Sequence, residues 1–505
     1  MSDAPALPVL ILLGTAVLIP LISLVLKRSA RALALAAVTA AASISAVNLV
    51  RVLGGATLHT HMAGWPPPIG IEYVLDPLAA FVVAVINGIV LAVLVHSRLS
   101  IEAEIPDRSR HVAYYALVLL MVCGFNGIVV TGDLFNLYVW LEISSLSLYG
   151  LVAAGERSSP VAAFRYLIMG TIGATFYLLG LGFLFVMTGS LNMADLAAIL
   201  PHVWREPPVV VGLMLMVAGM SIKMALFPLH GWLPDAYTTA PSSASALIAP
   251  TGTKVGAYVL IRLLFFVFGV EFTARTIPVT TIIGWLAAAG VIYGSVMAMA
   301  QKELKRMLAY SSVAQVGYIG VGIGLASPLG LIGAVLHVLN HACMKALLFL
   351  VAGSFRLKLG HSRIDRFSGS VRRRMPWTTA AFAVGALSMV GVPPLAGFFS
   401  KWYLALGAVK ASNWIFLAVI LVSSLLNAVY FFRVLERLYM GKTGGAPKSG
   451  GSARTDPEDA SPAGEAPPSM LVPVILLAAA LLALGLFNAV VVKEVIMKML
   501  PQGMM

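Results

Sequence analysis

The chain has 505 residues, of which 59% are hydrophobic and only 11% are charged, and its mean hydropathy is +0.93. This composition excludes an ordinary soluble domain and is typical of a membrane protein. The net charge of +13 would also fit a nucleic-acid-binding protein, but the basic residues are spread between hydrophobic segments rather than gathered in one patch.

Apolar runs of about twenty residues recur along the chain, each long enough to cross a hydrocarbon core about 30 Å thick. We therefore expect an all-α polytopic membrane protein with about fourteen transmembrane helices. They lie near 6–26, 32–50, 73–95, 112–131, 133–154, 162–187, 208–228, 242–269, 277–300, 307–326, 328–354, 378–401, 413–434 and 470–492. No Lys or Arg precedes the first run and no cleavage site follows it, so it is predicted to be a retained helix rather than a signal peptide.

Basic residues are concentrated in alternate loops. If the N-terminus is outside, the cytoplasmic loops hold 23 of the 34 Lys and Arg residues, whereas the opposite loops and ends hold seven. This asymmetry follows the positive-inside rule, so the charge orients the protein and nucleic-acid binding is not needed to explain it. We expect a protein of the bacterial cytoplasmic membrane with both termini outside. The segment 441–469, rich in Gly, Pro and Ser, is predicted to be a flexible cytoplasmic linker.

The sequence contains an internal repeat. PLHGWLPDAY at 228–237 aligns with PLAGFFSKWY at 394–403, and a weaker match pairs a Ser-Ser dipeptide at 144–145 with another at 311–312. The repeat unit of about 166 residues holds five helices, so consecutive copies must cross the membrane in opposite directions, as in many ion-coupled transporters. The predicted organisation is helices 1–3 in 1–111, a first five-helix repeat in 112–270, a second, inverted five-helix repeat in 271–440, the linker 441–469, and helix 14 in 470–505.

Each copy of the repeat interrupts an apolar run with proline beside a lysine. Pro228 follows Lys223, whereas Pro393 and Pro394 precede Lys401. A proline removes one backbone hydrogen bond, and the freed carbonyl is tolerated in lipid only where protein or water satisfies it. A kink that eases packing is the simpler interpretation. The repeated break beside a lysine instead favours a broken helix that lines a hydrated cavity in each repeat.

Charged side chains within the apolar segments are the candidate functional residues, because a charge at the bilayer centre costs roughly 2.5 kcal/mol or more. Glu142, Lys223 and Lys254, the last flanked by two glycines, lie deep in the first repeat. A structural ion pair with a lysine is the simpler role for Glu142, although opening of that pair could also gate proton release. Lys401 lies near a segment end, where a lysine usually snorkels to the interface.

His337, His341 and Lys345 form an i, i+4, i+8 row on one helical face. A single buried histidine is more often a core residue, but three titratable groups in a row are typical of a proton relay. Zinc binding is disfavoured because the row itself contains no Cys, Asp or Glu to complete a site. The two cysteines, Cys123 and Cys343, form no CxxC motif or iron–sulfur spacing, so we expect no metal, no cofactor and no catalytic site in this chain.

Several motifs resemble one family. PLHGWLPDAYTTAPSSASALIAPTGTKVGAYVLIR at 228–262, HACMKALLFLVAG at 341–353 and the helix around Glu142 are similar to the antiporter-like subunits of respiratory complex I, membrane-bound hydrogenases and Mrp-type cation/proton antiporters. The resemblance covers 70–435, and GDLFNLYVWLEISSLSLYGL at 132–151 is most similar to the Mrp D subunit. No long lateral helix is predicted after helix 14, which disfavours the largest complex I and Mrp A-type subunits.

The resemblance implies a proton-translocating subunit of a multisubunit Na⁺/proton antiporter, with other membrane subunits, including homologous antiporter-like ones, as partners. The alternative is a proton-pumping subunit of a redox-driven complex, of the complex I or hydrogenase type, in which electron transfer belongs to partner subunits. A scaffold without transport would leave five buried charges unexplained. The family's functional positions correspond here to Glu142, Lys223, Lys254, His337, His341, Lys345 and Lys401.

Overall fold

The structure is a computed structural model that describes residues 4–26, 29–155, 158–441 and 464–501. Those residues are mostly helical, which confirms the predicted all-α polytopic fold. Most of the predicted linker 441–469 and the basic residues at positions 27, 28 and 157 lie outside the described residues.

The first half of the chain contains α-helices and one β-hairpin in its described residues. In chain order they are α1 (Leu7–Val25), α2 (Ala30–Leu53), β1 (Leu58–His61), β2 (Glu72–Leu75), α3 (Pro77–His96), α4 (Arg98–Glu104), α5 (Ser109–Val130), α6 (Leu134–Ala153), α7 (Ser159–Thr188), α8 (Met193–Val203), α9 (Pro207–Met224), α10 (Leu233–Thr239) and α11 (Ser242–Ile261). A π-helical extension, Arg262–Val267, continues α11 without a break.

The second half is mostly helical in its described residues. Its α-helices are α12 (Val279–Met299), α13 (Leu304–Gly324), α14 (Pro328–Leu359), α15 (Gly369–Arg374), α16 (Pro376–Val390), α17 (Ala396–Lys410), α18 (Trp414–Met440), α19 (Pro468–Leu486) and α20 (Asn488–Val490). Another π-helical segment, Val491–Ile496, follows α20.

Twelve of the described helices are long and apolar enough to cross a membrane. They coincide with twelve of the fourteen predicted segments. The other two segments coincide with α6, whose polar residues include Glu142, and with α16 and α17, which are separated by the proline break. The chain is therefore a multi-pass membrane protein.

The β-hairpin is a feature that the sequence analysis missed. Its two strands are antiparallel, and Leu58 lies opposite Leu75 while His61 lies opposite Glu72. The ring of His59 approaches the same Glu72 carboxylate, at 2.7 Å from Nδ1 to Oε1. Strands of four residues are too short to show a clear alternation of polar and apolar side chains, so no pattern predicted them.

Three helices form the centre of the molecule. The most apolar windows of α11, α13 and α14 are 89%, 89% and 94% buried, compared with 28% for α1. A helix that is apolar and buried on all sides contacts protein rather than lipid. Polar groups on these helices are therefore shielded from the hydrocarbon by the surrounding helices.

The two proline breaks begin at positions that the sequence repeat aligns. The first helix half ends at Met224 before left-handed Ala225 (φ 60°), and its counterpart ends at Val390 before left-handed Gly391 (φ 93°). Each pair is separated by 166 positions. After the second break the chain turns back so closely that a Cβ on Gly397 would lie 1.9 Å from the Ser388 carbonyl oxygen, which requires glycine there.

Candidate functional site

Glu142 on α6 and Lys223 on α9 face each other across the first repeat without a direct contact. The Lys223 ammonium donates to Ser145 Oγ at 2.8 Å, one turn along α6 from Glu142. Glu142 interacts electrostatically with Lys223, but its Oε1 is buried and has no hydrogen-bond partner among the described residues. The expected ion pair is therefore open in this arrangement, and Ser145 holds the lysine instead.

Lys254 lies on the central helix α11 and is buried, at 2% exposure. Its ammonium donates to the Ala249 carbonyl at 2.6 Å and lies 3.3 Å from Thr253 Oγ1. Gly256 allows the close approach expected from sequence, since a Cβ there would lie 2.8 Å from the Met224 nitrogen at the end of α9. The broken helix of the first repeat thus packs directly against the helix that carries Lys254.

The predicted row on α14 is fully buried, with His337, His341 and Lys345 each 0% exposed. The two imidazole rings are 5.6 Å apart and nearly parallel. His337 Nδ1 is 2.9 Å from Ser400 Oγ, whereas neither ring nitrogen of His341 has a partner within the described part of the chain. Lys345 donates to Ser311 Oγ at 2.5 Å on the neighbouring helix α13.

Lys401 is buried within the protein, at 6% exposure. Its side chain bends back across the second break, where the ammonium donates to the carbonyl oxygens of Met389 (2.9 Å) and Val390 (3.0 Å) at the end of α16. The ammonium also lies 4.9 Å from the ring centre of Tyr318, a cation–π distance. The ammonium is therefore held inside the protein rather than at its surface.

These groups form two electrostatically connected sets, Glu142 with Lys223 and Lys254 with the α14 row and Lys401, which together are called the array. Lys254 interacts with both His341 and Lys345, and His337 interacts with Lys401. The sequence places no Asp or Glu in α11, α14, α16 or α17, so no carboxylate on those helices neutralises the array. Because like charges interact strongly in a low-dielectric interior, a proton gained at one site favours proton loss at the next.

Neutral polar residues complete the site, and sequence reasoning did not assign them a role. Ser145, Ser311, Ser400 and Ser424 each lie within hydrogen-bond distance of a lysine or histidine of the array. The repeated Ser-Ser dipeptides were a partial signal, because Ser145 and Ser311 come from the two aligned copies. The other contacts arise from helix packing and have no local signature.

An ion pair that the sequence analysis also missed fixes one end of α11. The guanidinium of Arg262 donates to both carboxylate oxygens of Asp76, at 2.6 and 2.8 Å, and to Tyr258 Oη at 2.9 Å. Burial would raise the pKa of Asp76, but the Arg262 guanidinium outweighs this effect, so the pKa lies below its usual value. The pair ties α11, and with it Lys254, to the start of α3.

Comparison with known proteins gives a family match over the region that contains these residues. The family model described as NADH:quinone oxidoreductase/Mrp antiporter, TM matches residues 131–427, which include the whole array. The chain is 49% identical over 478 residues to NADH-quinone oxidoreductase subunit N of Desulforudis audaxviator (strain MP104C), covering 93% of each chain. It is 31% identical over 386 residues to the D subunit of the Na⁺/H⁺ antiporter of Alkalihalophilus pseudofirmus, covering 75% of this chain and 76% of that one.

A solved structure has the same fold over nearly its whole length. A chain of the membrane-bound sulfane sulfur reductase, an archaeal respiratory membrane complex, superposes with a TM-score of 0.88 at 29% identity, covering 98% of this chain and 97% of that chain. The match to subunit N is stronger than the match to the antiporter's D subunit, which the α6 sequence alone had favoured. The chain therefore belongs to the family of NADH:quinone oxidoreductase and Mrp antiporter transmembrane subunits.

Proposed function

We propose that this chain is a proton-translocating subunit of a redox-driven membrane complex related to NADH-quinone oxidoreductase. The higher identity and coverage of the match to subunit N support this choice over a sodium/proton antiporter. Electron transfer would belong to partner subunits, and homologous antiporter-like subunits would lie beside this one in the membrane. The residues proposed to carry protons are Glu142, Lys223, Lys254, His337, His341, Lys345 and Lys401.

The observation that carries the proposal is the array of buried lysines without carboxylates on their own helices. Lys254, Lys345 and Lys401 are each at most 6% exposed. A structural role would leave them as uncompensated buried charges, which are strongly destabilising. A role in proton transfer accounts for them, because a lysine in such a site can exist in both protonation states.

In the proposed mechanism, the first repeat controls when a proton leaves Lys223. When the ammonium of Lys223 pairs with Glu142, the carboxylate stabilises the charged form. When it withdraws to Ser145, as in this structure, that stabilisation weakens and the proton can pass to Lys254. The change in charge at Lys254 then acts on Lys345 and His341, with which Lys254 interacts electrostatically. The same effect extends from this row to Lys401.

The matching breaks also support the proposed inverted repeat. Met224 and Val390 end their helices 166 positions apart, each followed by a left-handed residue. Under this proposal 112–270 and 271–440 are the two repeats, and each broken helix lines one half of the proton path. The proposed orientation in the bacterial cytoplasmic membrane, with both termini outside, rests on the alternation of basic loops.

A sodium/proton antiporter is the second candidate, favoured by the 31% identity to the D subunit of a Na⁺/H⁺ antiporter over three quarters of both chains. Under this alternative the same array would exchange protons for Na⁺, and the gradient of one ion would drive the other. No redox reaction would then be required.

One experiment separates the two candidates. The native complex, purified through a tag on this chain, would be reconstituted into vesicles with a trapped pH dye and supplied with its electron donor and quinone in Na⁺-free medium. The proposed function predicts proton movement that depends on quinone reduction and not on Na⁺. Proton movement driven by a Na⁺ gradient without electron donor, together with none during quinone reduction, would favour the antiporter and reject the redox-driven pump.

A further inference from the structure

Lys401 is surrounded by oxygen atoms from two helices. Beside the carbonyl oxygens of Met389 and Val390 on α16, Ser424 Oγ on α18 lies 3.2 Å from the ammonium. When the Asn427 amide is oriented so that its oxygen faces donors, Oδ1 also lies 3.2 Å from Nζ. Helix α18 thus supplies two side-chain acceptors to a lysine on a different helix.

The orientation of the Asn427 amide follows from its neighbours. With its nitrogen turned toward acceptors, it donates to Tyr430 Oη at 2.8 Å and to the Ser423 carbonyl at 3.3 Å. Its oxygen then accepts from Gln315 Nε2 and Lys401 Nζ, both at 3.2 Å. Because the contacts with Gln315, Lys401 and the Ser423 carbonyl are satisfied only in this orientation, the hydrogen-bond network itself assigns it.

The network continues from Asn427 to Lys345. The hydroxyl of Tyr430 also interacts with the side chain of Ser311. Ser311 Oγ in turn accepts from Lys345 Nζ at 2.5 Å. Polar side chains therefore lie between Lys345 and Lys401: Ser311 bonds Lys345, Asn427 bonds Lys401, and Tyr430 bonds Asn427 and interacts with Ser311.

The histidine row does not provide such contacts in this arrangement. His337 contacts Ser400 through Nδ1, but its Nε2 has no hydrogen-bond partner among the described residues, and the same holds for both ring nitrogens of His341. The polar contacts between Lys345 and Lys401 thus run through α13 and α18 rather than along the histidines of α14.

We propose that Asn427 and Tyr430 of α18 are positioning residues that couple Lys345 to Lys401 during proton transfer. The inference rests on the proposed function, since it concerns the same proton path. A tyrosine hydroxyl both donates and accepts, so Tyr430 can reverse its hydrogen bonds when the charge moves. The Asn427 amide does not titrate, so it holds the Lys401 ammonium without adding a charge that would retain the proton.

The other groups that face Lys401 are also uncharged or positively ionisable. Tyr318 on α13 presents its ring, and His337 on α14 interacts electrostatically with the lysine. Tyr430 on α18 is a further titratable neighbour in the network. An acid at position 427 would therefore place a carboxylate against an ammonium that otherwise contacts neutral oxygens. The protonation of Lys401 should respond strongly to that change.

The first test compares two hydroxyl deletions on the same helix. Tyr430→Phe removes the hydroxyl that bonds Asn427, whereas Tyr439→Phe removes a hydroxyl near the exposed end of α18, where the ring lies 5.4 Å from the Arg372 guanidinium. We expect Tyr430→Phe to slow proton transport by about tenfold, the effect of losing one hydrogen bond in a charged network, and Tyr439→Phe to stay within about twofold of wild type. Equal rates in the two variants would overturn the proposal.

The second test changes the pH dependence. Asn427→Asp has nearly the same shape and places a carboxylate beside Lys401, which stabilises its charged form. The pH–rate profile should therefore move to higher pH by about one unit, a change that a purely structural residue would not cause. An unshifted profile in an assembled complex would reject the positioning role.

Lys345→Ala separates this inference from the proposed function. If Lys345→Ala abolishes transport while Tyr430→Phe and Asn427→Asp behave as wild type, the array carries protons but α18 does not position them, and only the inference fails. If Lys345→Ala is itself fully active, the proposed function fails, and the inference fails with it.

Discussion

The ammonium of Lys401 lies 2.9 Å from the carbonyl oxygen of Met389, the residue that aligns with Lys223 in the internal repeat. In the first repeat the lysine belongs to the helix half before the break. In the second repeat it belongs to the half after the break and reaches back to the same aligned position. Both broken helices therefore bring an ammonium group to their interruption, although by different routes along the chain.

Lys401→Arg should leave assembly intact but abolish most proton-coupled transport. Arginine keeps a charge on a long stem, yet it does not release its proton at physiological pH. Lys410→Arg, at the exposed end of the same helix, is the matched control and should behave as wild type. Full transport by the assembled Lys401→Arg complex would return Lys401 to a structural role.

His341→Leu should lose most transport without losing stability. Both ring nitrogens of His341 are buried without partners in the described structure, and an unsatisfied buried polar group costs about 1–3 kcal/mol. Leucine removes that cost, so the melting temperature of the purified complex should stay the same or rise. A variant that transports normally would instead assign His341 to the core, outside the proton path.

Asp235→Asn should have only a partial effect. Asp235 aligns with Lys401, but its carboxylate bonds Arg165 at 2.9 Å and Arg306 at 3.0 Å, joining α10 to α7 and α13. Partly exposed ion pairs contribute up to about 1 kcal/mol each, so transport should fall by no more than about fivefold. Complete loss of transport with normal assembly would place Asp235 in the proton path itself.

Reporter fusions test the proposed topology. A reporter fused after Lys448 should be cytoplasmic and one fused at the C-terminus should be external, because the basic loops alternate along the chain. Labelling of intact cells by a membrane-impermeant reagent gives an independent measurement. If both reporters lie on the same side, one crossing is removed from the topology and the inverted repeat loses its basis.

The sequence predicted burial for residues that lie far from both ends of a single apolar segment. Lys254 and Lys345 lie in the middle of long apolar runs, so only a buried position fits them. Lys401 could not be placed in this way, since its burial depends on the break that brings α17 back to the end of α16. Its depth is a property of tertiary structure and not of the local sequence.

The hydrogen-bond partners of the array were equally inaccessible from sequence. Asn427 is an ordinary polar residue in an apolar helix, and its contacts with Gln315 and Lys401 depend on how α13, α17 and α18 pack together. The short strands β1 and β2 were missed for a different reason, because four residues carry too little periodicity. The repeated Ser-Ser dipeptide was a polar pattern in the sequence, and one of its residues, Ser145, does accept a hydrogen bond from Lys223 in the structure.

The most direct test of proton transport through this chain uses Glu142 and Lys223, the partly buried acid and base of the first repeat. Glu142→Gln and Lys223→Ala would each be introduced into the complex and compared with Glu271→Gln, which changes an exposed carboxylate outside the array. The readout is proton movement into reconstituted vesicles, with assembly checked by subunit composition. The account predicts loss of most proton movement in both array variants and wild-type behaviour in the control. Near-wild-type proton movement by an assembled complex carrying either array variant would contradict it.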